Sequence, residues 1–88
     1  MVGFWAPWCA RCRMQEPVLD EVAVALQGKA AVVKVNVDDS PRLAAKFRIE
    51  AIPLLVILKE GMEIARLVGL QSRQTLLDAV EQALRTTL

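Results

Sequence analysis

Histidine is absent from the 88-residue chain and cysteine occurs only twice. A structural zinc site takes four Cys or His ligands, so one copy of this chain cannot close one; a cluster shared between two copies would need every thiolate from both, and nothing in the sequence favours it. No metal and no organic cofactor is expected. Neither sign of charge dominates: 11 Lys and Arg against 10 Asp and Glu leave +1 at pH 7, without the basic face that a phosphate backbone requires, which argues against nucleic acid as a partner. No apolar run approaches the roughly 20 residues of a membrane span, and the start shows no basic segment followed by an apolar stretch and a cleavage site. The expectation is a soluble, cytoplasmic protein without membrane contact. Four glycines and four prolines are scattered, leaving no linker, repeat or low-complexity tract. What the chain has in quantity is apolar side chains, 55% of the total, enough to fill the modest core of one domain over residues 1–88 and to exclude disorder.

Both cysteines fall in one tetrapeptide, Cys9-Ala10-Arg11-Cys12, after Phe4-Trp5-Ala6-Pro7-Trp8 and before a long amphipathic run. In the first turn of a helix, positions three apart lie roughly 5 to 6 Å apart, within the range a disulfide bridges. The unpaired amides and partial positive charge of a helix N-terminus favour a thiolate on Cys9, the expected nucleophile. Cys12, one turn deeper and less solvated, keeps its proton and is assigned the resolving role. A purely structural bridge across so short a loop constrains the unfolded chain little.

Periodicity places the pair. Val2 to Trp5 reads as the end of a buried strand and Ala6-Pro7 as its exit. A helix follows from about Cys9 to Gln27, with Val18, Leu19, Val22 and Leu26 on its apolar face, Gly28 as a stop and Pro17 as the site of a kink. Ala30 to Val37 reads as a strand, Ser40-Pro41 as the cap and first residue of a short helix to about Phe47, and Ile52 to Leu58 as a strand buried on both faces. Lys59-Glu60-Gly61-Met62 turns into a hairpin partner, Glu63 to Val68, and a last helix from Ser72 carries Leu76, Leu77, Val80 and Leu84. The predicted fold is α/β, a mixed four-stranded sheet in the order strand, helix, strand, helix, strand, strand, helix.

Trp5-Ala6-Pro7-Trp8-Cys9-Ala10-Arg11-Cys12-Arg13-Met14 resembles the active-site motif of the thioredoxin family, Pro17 its helix kink, Val37-Asp38 its acidic strand end, Ile52-Pro53 its cis-proline site, and Gly61 and Gly69 its two later glycines. The resemblance implies a thiol-disulfide oxidoreductase that reduces protein disulfides. Trp8, Ile52, Pro53 and Gly69 would border the groove where a partner's extended backbone lies beside Cys9, Pro53 would be cis, and a thioredoxin reductase would recharge the pair. Two other readings stay open: a binding module in which the cysteines are incidental, and a glutaredoxin-like enzyme using glutathione, for which Leu54 offers no polar side chain.

Three departures from the family carry expectations of their own. The usual opening strand and helix have no counterpart, so the minimal fold is expected, with the Ala30 to Val37 strand as an exposed edge that supports weak self-association. Gly3 stands where the family usually has a buried aspartate beside the resolving cysteine, so resolution of mixed disulfides should be slow; its customary lysine neighbour is present as Lys34, which must reach solvent or shift toward neutrality. Glu16 is the nearest carboxylate in sequence, and a solvated helix position suits it better than a proton relay. Ala10 and Arg11 replace the common Gly-Pro. The Arg11 cation near Cys9 is worth on the order of 0.5 to 1 kcal/mol at surface-like dielectric, which favours the thiolate and makes the couple more oxidising; the alternative is that Arg11 points into water.

Overall fold

The hydrophobic pattern resolves into seven elements in a computed structural model that describes residues 1–86: β1 (Val2–Trp5), α1 (Ala10–Ala25), β2 (Val33–Asn36), α2 (Pro41–Lys46), β3 (Leu54–Lys59), β4 (Met62–Val68) and α3 (Arg73–Arg85). Residues 87 and 88, the end of the expected domain, lie outside the described residues. The strands form one sheet in the order β2-β1-β3-β4, parallel between β1 and β2 and antiparallel elsewhere. This is the mixed four-stranded sheet and element order that the sequence predicts.

Alternation along β1 and β3 sorts the core into two layers. Leu55 and Ile57 face α1 and α3, where Leu19, Val22, Leu26, Leu76, Val80 and Ala83 close over them. Phe4, Leu54 and Val56 face the other way, against Val35, Leu43, Phe47 and Ile49 around α2, with the rings of Phe4 and Phe47 5.3 Å apart. Four consecutive residues of β3, Leu54 to Ile57, are buried, as a strand covered on both faces requires.

Several boundaries move for local reasons. Cys9 is the N-cap of α1 and not its first helical residue, and the helix closes at Leu26, two residues before Gly28 adopts φ +81°. Pro17 lies inside α1, which stays continuous around it. β2 begins only at Val33, where the regular parallel ladder with β1 starts at the Val2–Val33 pair; before it the Met1 ammonium donates to the Ala31 carbonyl at 2.7 Å without continuing the strand. β3 begins after Pro53, which has no amide hydrogen for the ladder,. Ser40 is the N-cap of α2, yet its side chain makes no capping bond. On α3 the buried stripe is Leu76, Val80 and Ala83; Leu84, expected on the same stripe, is 42% exposed, its place in the core taken by Ala83.

The β3–β4 hairpin turns on Glu60 and Gly61, both at positive φ, 55° and 79°, the signature of a type I′ turn. Gly61→Val is expected to cost about 1–2 kcal/mol because a side chain is strained in the left-handed region. Glu60→Asn, a residue that tolerates it, is expected to gain about 0.5 kcal/mol. Urea midpoints that shift in the same direction for both variants would place the strain elsewhere.

Candidate functional site

Cys9 and Cys12 are joined by a disulfide with Cα atoms 5.3 Å apart. Both are buried, at 8% and 4% exposure, and pack with Ala6 against Trp5, Val37 and Ile52. The turn out of β1 is fixed by the Cys9 amide, which donates to the Ala6 carbonyl at 3.1 Å. Cys9 then caps the helix with sulfur: the Cys12 amide donates to Cys9 Sγ at 3.2 Å, the bond that a serine or aspartate oxygen accepts at an ordinary N-cap. Across from it the Ile52 carbonyl stands 3.9 Å from Cys9 Sγ, and the Ile52-Pro53 peptide is cis. Ala10 and Arg11, between the cysteines, are exposed.

The residues expected to border a groove come from three separate segments. Trp8 is 68% exposed, and its Nε1 donates to Asp38 Oδ2 at 3.0 Å. Beside it opens a cleft of about 320 Å³ shared with Val37, Ala51 and Ile52. Gly69, at φ +90°, donates its amide to the Pro53 carbonyl at 2.8 Å, bringing the end of β4 against the cis-proline segment. Leu54 is buried against α2 and presents nothing at this surface.

The space beside Gly3 is occupied from the helix side. A Cβ placed there would stand 3.1 Å from Leu19 Cδ1 and 3.3 Å from Leu55 Cδ1, so a larger side chain requires those leucines to give way. Next to this contact a cavity of about 350 Å³ extends from Cys12 past Gln15 to Glu16 and Lys34 at its mouth. Lys34 does not shift toward neutrality. Its ammonium lies 2.9 Å from Asp20 and 3.4 Å from Glu16, and the hydrogen bond to Asp20, above all, holds its pKa above the ordinary lysine value. Glu16 is exposed, as a solvated helix residue should be, and is tied to Lys34.

Sequence reasoning missed Gln15, and it named Asp38 without its bond to Trp8. Gln15 is 1% exposed and its carboxamide pairs with the backbone of Gln71: the Gln71 amide donates to Oε1 at 2.7 Å and Nε2 donates to the Gln71 carbonyl at 3.0 Å. The signal was available, since residues 12, 15, 19 and 22 share one helical face and Gln15 is the polar member of an otherwise apolar series.

Comparison with known proteins places this geometry. The family model described as Thioredoxin matches residues 1–82. The chain belongs to the thioredoxin family. It is 45% identical over 84 residues to Thioredoxin 1 of Nostoc sp. PCC 7120, covering 96% of this chain and 78% of that protein. It is 42% identical to the thioredoxin of Staphylococcus saprophyticus, with 96% and 81% covered. Its fold superposes on a mutant thioredoxin from Halobacterium salinarum NRC-1 with a TM-score of 0.86 at 34% identity, covering 99% of this chain and 75% of that one. With the Cys9–Cys12 pair at bonding distance, the family identifies the chain as a thiol-disulfide oxidoreductase.

The Lys34 ion pairs generate a prediction with a defined sign. A lysine pKa raised on folding contributes stability that is fully present below the unfolded value near 10.5 and is lost as pH rises through the higher folded value,. Lys34→Met is expected to lower stability by about 0.5–1 kcal/mol at neutral pH, the scale of a partly exposed pair. Urea unfolding should show that difference unchanged to about pH 10 and shrinking above it; a difference that shrinks between pH 7 and 9 would contradict the assignment.

Proposed function

We propose that the chain reduces protein disulfides by two successive exchanges. The Cys9 thiolate attacks one sulfur of a substrate disulfide; that S–S bond breaks, one substrate thiolate leaves, and a mixed disulfide joins Cys9 to the other. The Cys12 thiol gives up its proton and attacks Cys9 Sγ, expelling the second substrate thiolate and closing the Cys9–Cys12 bridge. Two electrons pass from the dithiol to the substrate. The observation that carries this reading is the capping geometry, in which the Cys12 amide is directed at Cys9 Sγ, because that hydrogen bond and the helix terminus both strengthen when the sulfur is charged.

The remaining roles follow from position. Trp8, Ile52, Pro53 and Gly69 form the substrate-binding groove beside Cys9, in which an extended partner backbone lies. Ala10 leaves the front of the pair uncluttered, and Arg11, exposed beside the thiolate, adds a Coulomb contribution of roughly 0.4 to 0.7 of a pKa unit, which stabilises the reduced form. Lys34, at the far mouth of the cavity reaching Cys12, acts only through its field. A thioredoxin reductase restores the dithiol, the setting is cytoplasmic, and residues 1–88 act as one domain. Among the described residues, no helix is long and apolar enough to cross a membrane.

The test begins with reduced protein and iodoacetamide. Cys9 should alkylate with a pH midpoint below the free-thiol value of about 8.5, Cys12 should react about tenfold or more slowly, and Arg11→Ser should raise the Cys9 midpoint by roughly 0.4 to 0.7 of a unit. In insulin reduction with dithiothreitol, the wild type should outpace Cys12→Ser, which stops at the mixed disulfide. Equal labelling of both thiols, or a wild type no faster than Cys12→Ser, favours a binding module instead.

Weak self-association belongs to the same proposal. β2 is the sheet edge, with Val33 51% exposed, and beside it Val2, Val35, Leu43 and Phe47 line a broad apolar groove. Lys34 in the middle of so short an edge keeps the pairing weak. Sedimentation equilibrium at millimolar concentration should report a mass above the monomer, and strict monomer behaviour there removes this part of the reading.

A further inference from the structure

Gln15 is the only polar residue in the buried set among the described residues, and both ends of its carboxamide are used on the backbone of one distant residue. Gln71 lies 56 positions away, in the loop between β4 and α3, where no strand supplies partners for its amide and carbonyl. Gln15 takes the place of that missing strand: its Oε1 accepts what a neighbouring carbonyl would accept, and its Nε2 donates what a neighbouring amide would donate. On the same loop, the Gly69 amide is held by the Pro53 carbonyl at 2.8 Å, and the Gln71 side chain folds back to donate to the Val68 carbonyl at 3.0 Å. The Gly69 wall is thus fixed to the cis-proline segment on one side and, through Gln71 and Gln15, to the helical turn that carries Cys12 on the other.

We propose that Gln15 is a positioning residue for protein substrates: it sets the distance between the Gly69–Gln71 wall and the Cys9–Cys12 turn, and so the width of the groove that receives a partner's extended backbone. This rests on the reading of that groove as the substrate surface. A wall free to swing costs affinity for a polypeptide that spans it and matters much less to a small disulfide that touches only Cys9.

The experiment compares insulin with 5,5′-dithiobis(2-nitrobenzoate), using wild type, Gln15→Met and Gln15→Glu. Gln15→Met keeps the side-chain length and loses both bonds. Its KM for insulin is expected to rise about five- to tenfold, with kcat changed much less, and its rate constant with the small disulfide to fall by a far smaller factor. Gln15→Glu gives the decisive readout. As a carboxylate it accepts from the Gln71 amide but meets the Gln71 carbonyl with an oxygen; protonated, it donates to that carbonyl and both bonds return. The ratio of its KM to the wild-type KM should therefore fall toward one as pH drops from 8 to 5.5. The ionisable groups around the same cavity, Cys12, Glu16, Lys34 and Asp39, are present in both proteins, and the pH dependence of the rate with the small disulfide reports any field of the new carboxylate on them. A Gln15→Met protein that fails to fold leaves the Gln15→Glu ratio to decide. A flat ratio, or parallel losses with insulin and the small disulfide, overturns the inference. A wild type inactive on both substrates instead refutes the oxidoreductase reading on which it rests.

Discussion

Because Cys9 is the residue that caps α1, its sulfur stands where a hydroxyl or carboxylate oxygen ordinarily stands, and the Cys12 amide meets it at 3.2 Å,. The helix must then begin at Ala10, which puts Cys12 in its first turn with its Cα 5.3 Å from that of Cys9, so the bridge closes within helical geometry. The chain ahead of the cap must arrive already folded back, and it does: Ala6 is fully buried and its carbonyl takes the Cys9 amide. An oxygen cap would give the same turn. Only a sulfur cap can alternate between thiolate and disulfide while keeping its place at the positive end of the helix.

The core secures that turn through β3. Its residues alternate between the two layers, Leu55 and Ile57 toward α1 and α3, Leu54 and Val56 toward α2, and burying each such side chain contributes about 1.5–3 kcal/mol against exposure. Pro53 immediately precedes this most buried strand, so the segment opposite the disulfide inherits its rigidity. The α1 side of the sheet is less complete. Gly3 offers no side chain, Leu19 and Leu55 close over it, and beside that contact a cavity runs to Cys12. Packing is therefore tight behind the Cys9 turn and open beside Cys12.

How much of this was legible in the sequence depended on whether a residue's role was local. Phe4, Leu19, Val22 and the run from Leu54 to Ile57 announce themselves by period, and each is in the core. The cysteine pair announces itself by spacing. Leu84 and residues 30–32 were misjudged because periodicity and propensity identify a face without the partners each residue meets: the stripe on α3 passes through Ala83, and the ladder with β1 is regular only from the Val2–Val33 pair. Lys34 illustrates a different gap. Its solvent access and its two carboxylate partners are set by how α1 crosses β2, a tertiary fact that no window of residues contains. Gln15 is the sharpest case: its place on an apolar face signals burial, but what its two hydrogen-bonding ends serve shows only once the Gln71 loop is placed beside it.

The surroundings of the disulfide are assembled from segments far apart in sequence, and what joins them is mostly hydrogen bonding to backbone or between polar tips. The Trp8 indole is tied to Asp38 after β2, the Gly69 amide to the Pro53 carbonyl, and the Gln71 backbone to Gln15 on α1. Directional bonds fix these walls without consuming the apolar side chains on them, so Trp8, Val68 and Leu70 stay exposed. Had the same segments been held by burying those side chains, the walls would be equally rigid but would have little left to offer a partner. On the proposed reading of this surface as the substrate groove, a polypeptide laid into it would meet preset backbone and unspent apolar surface, conditions that select for extended shape and an accessible disulfide more than for a particular sequence. The structure thereby separates fixing the groove from filling it, and the hydrogen-bonded ties are what make that separation possible.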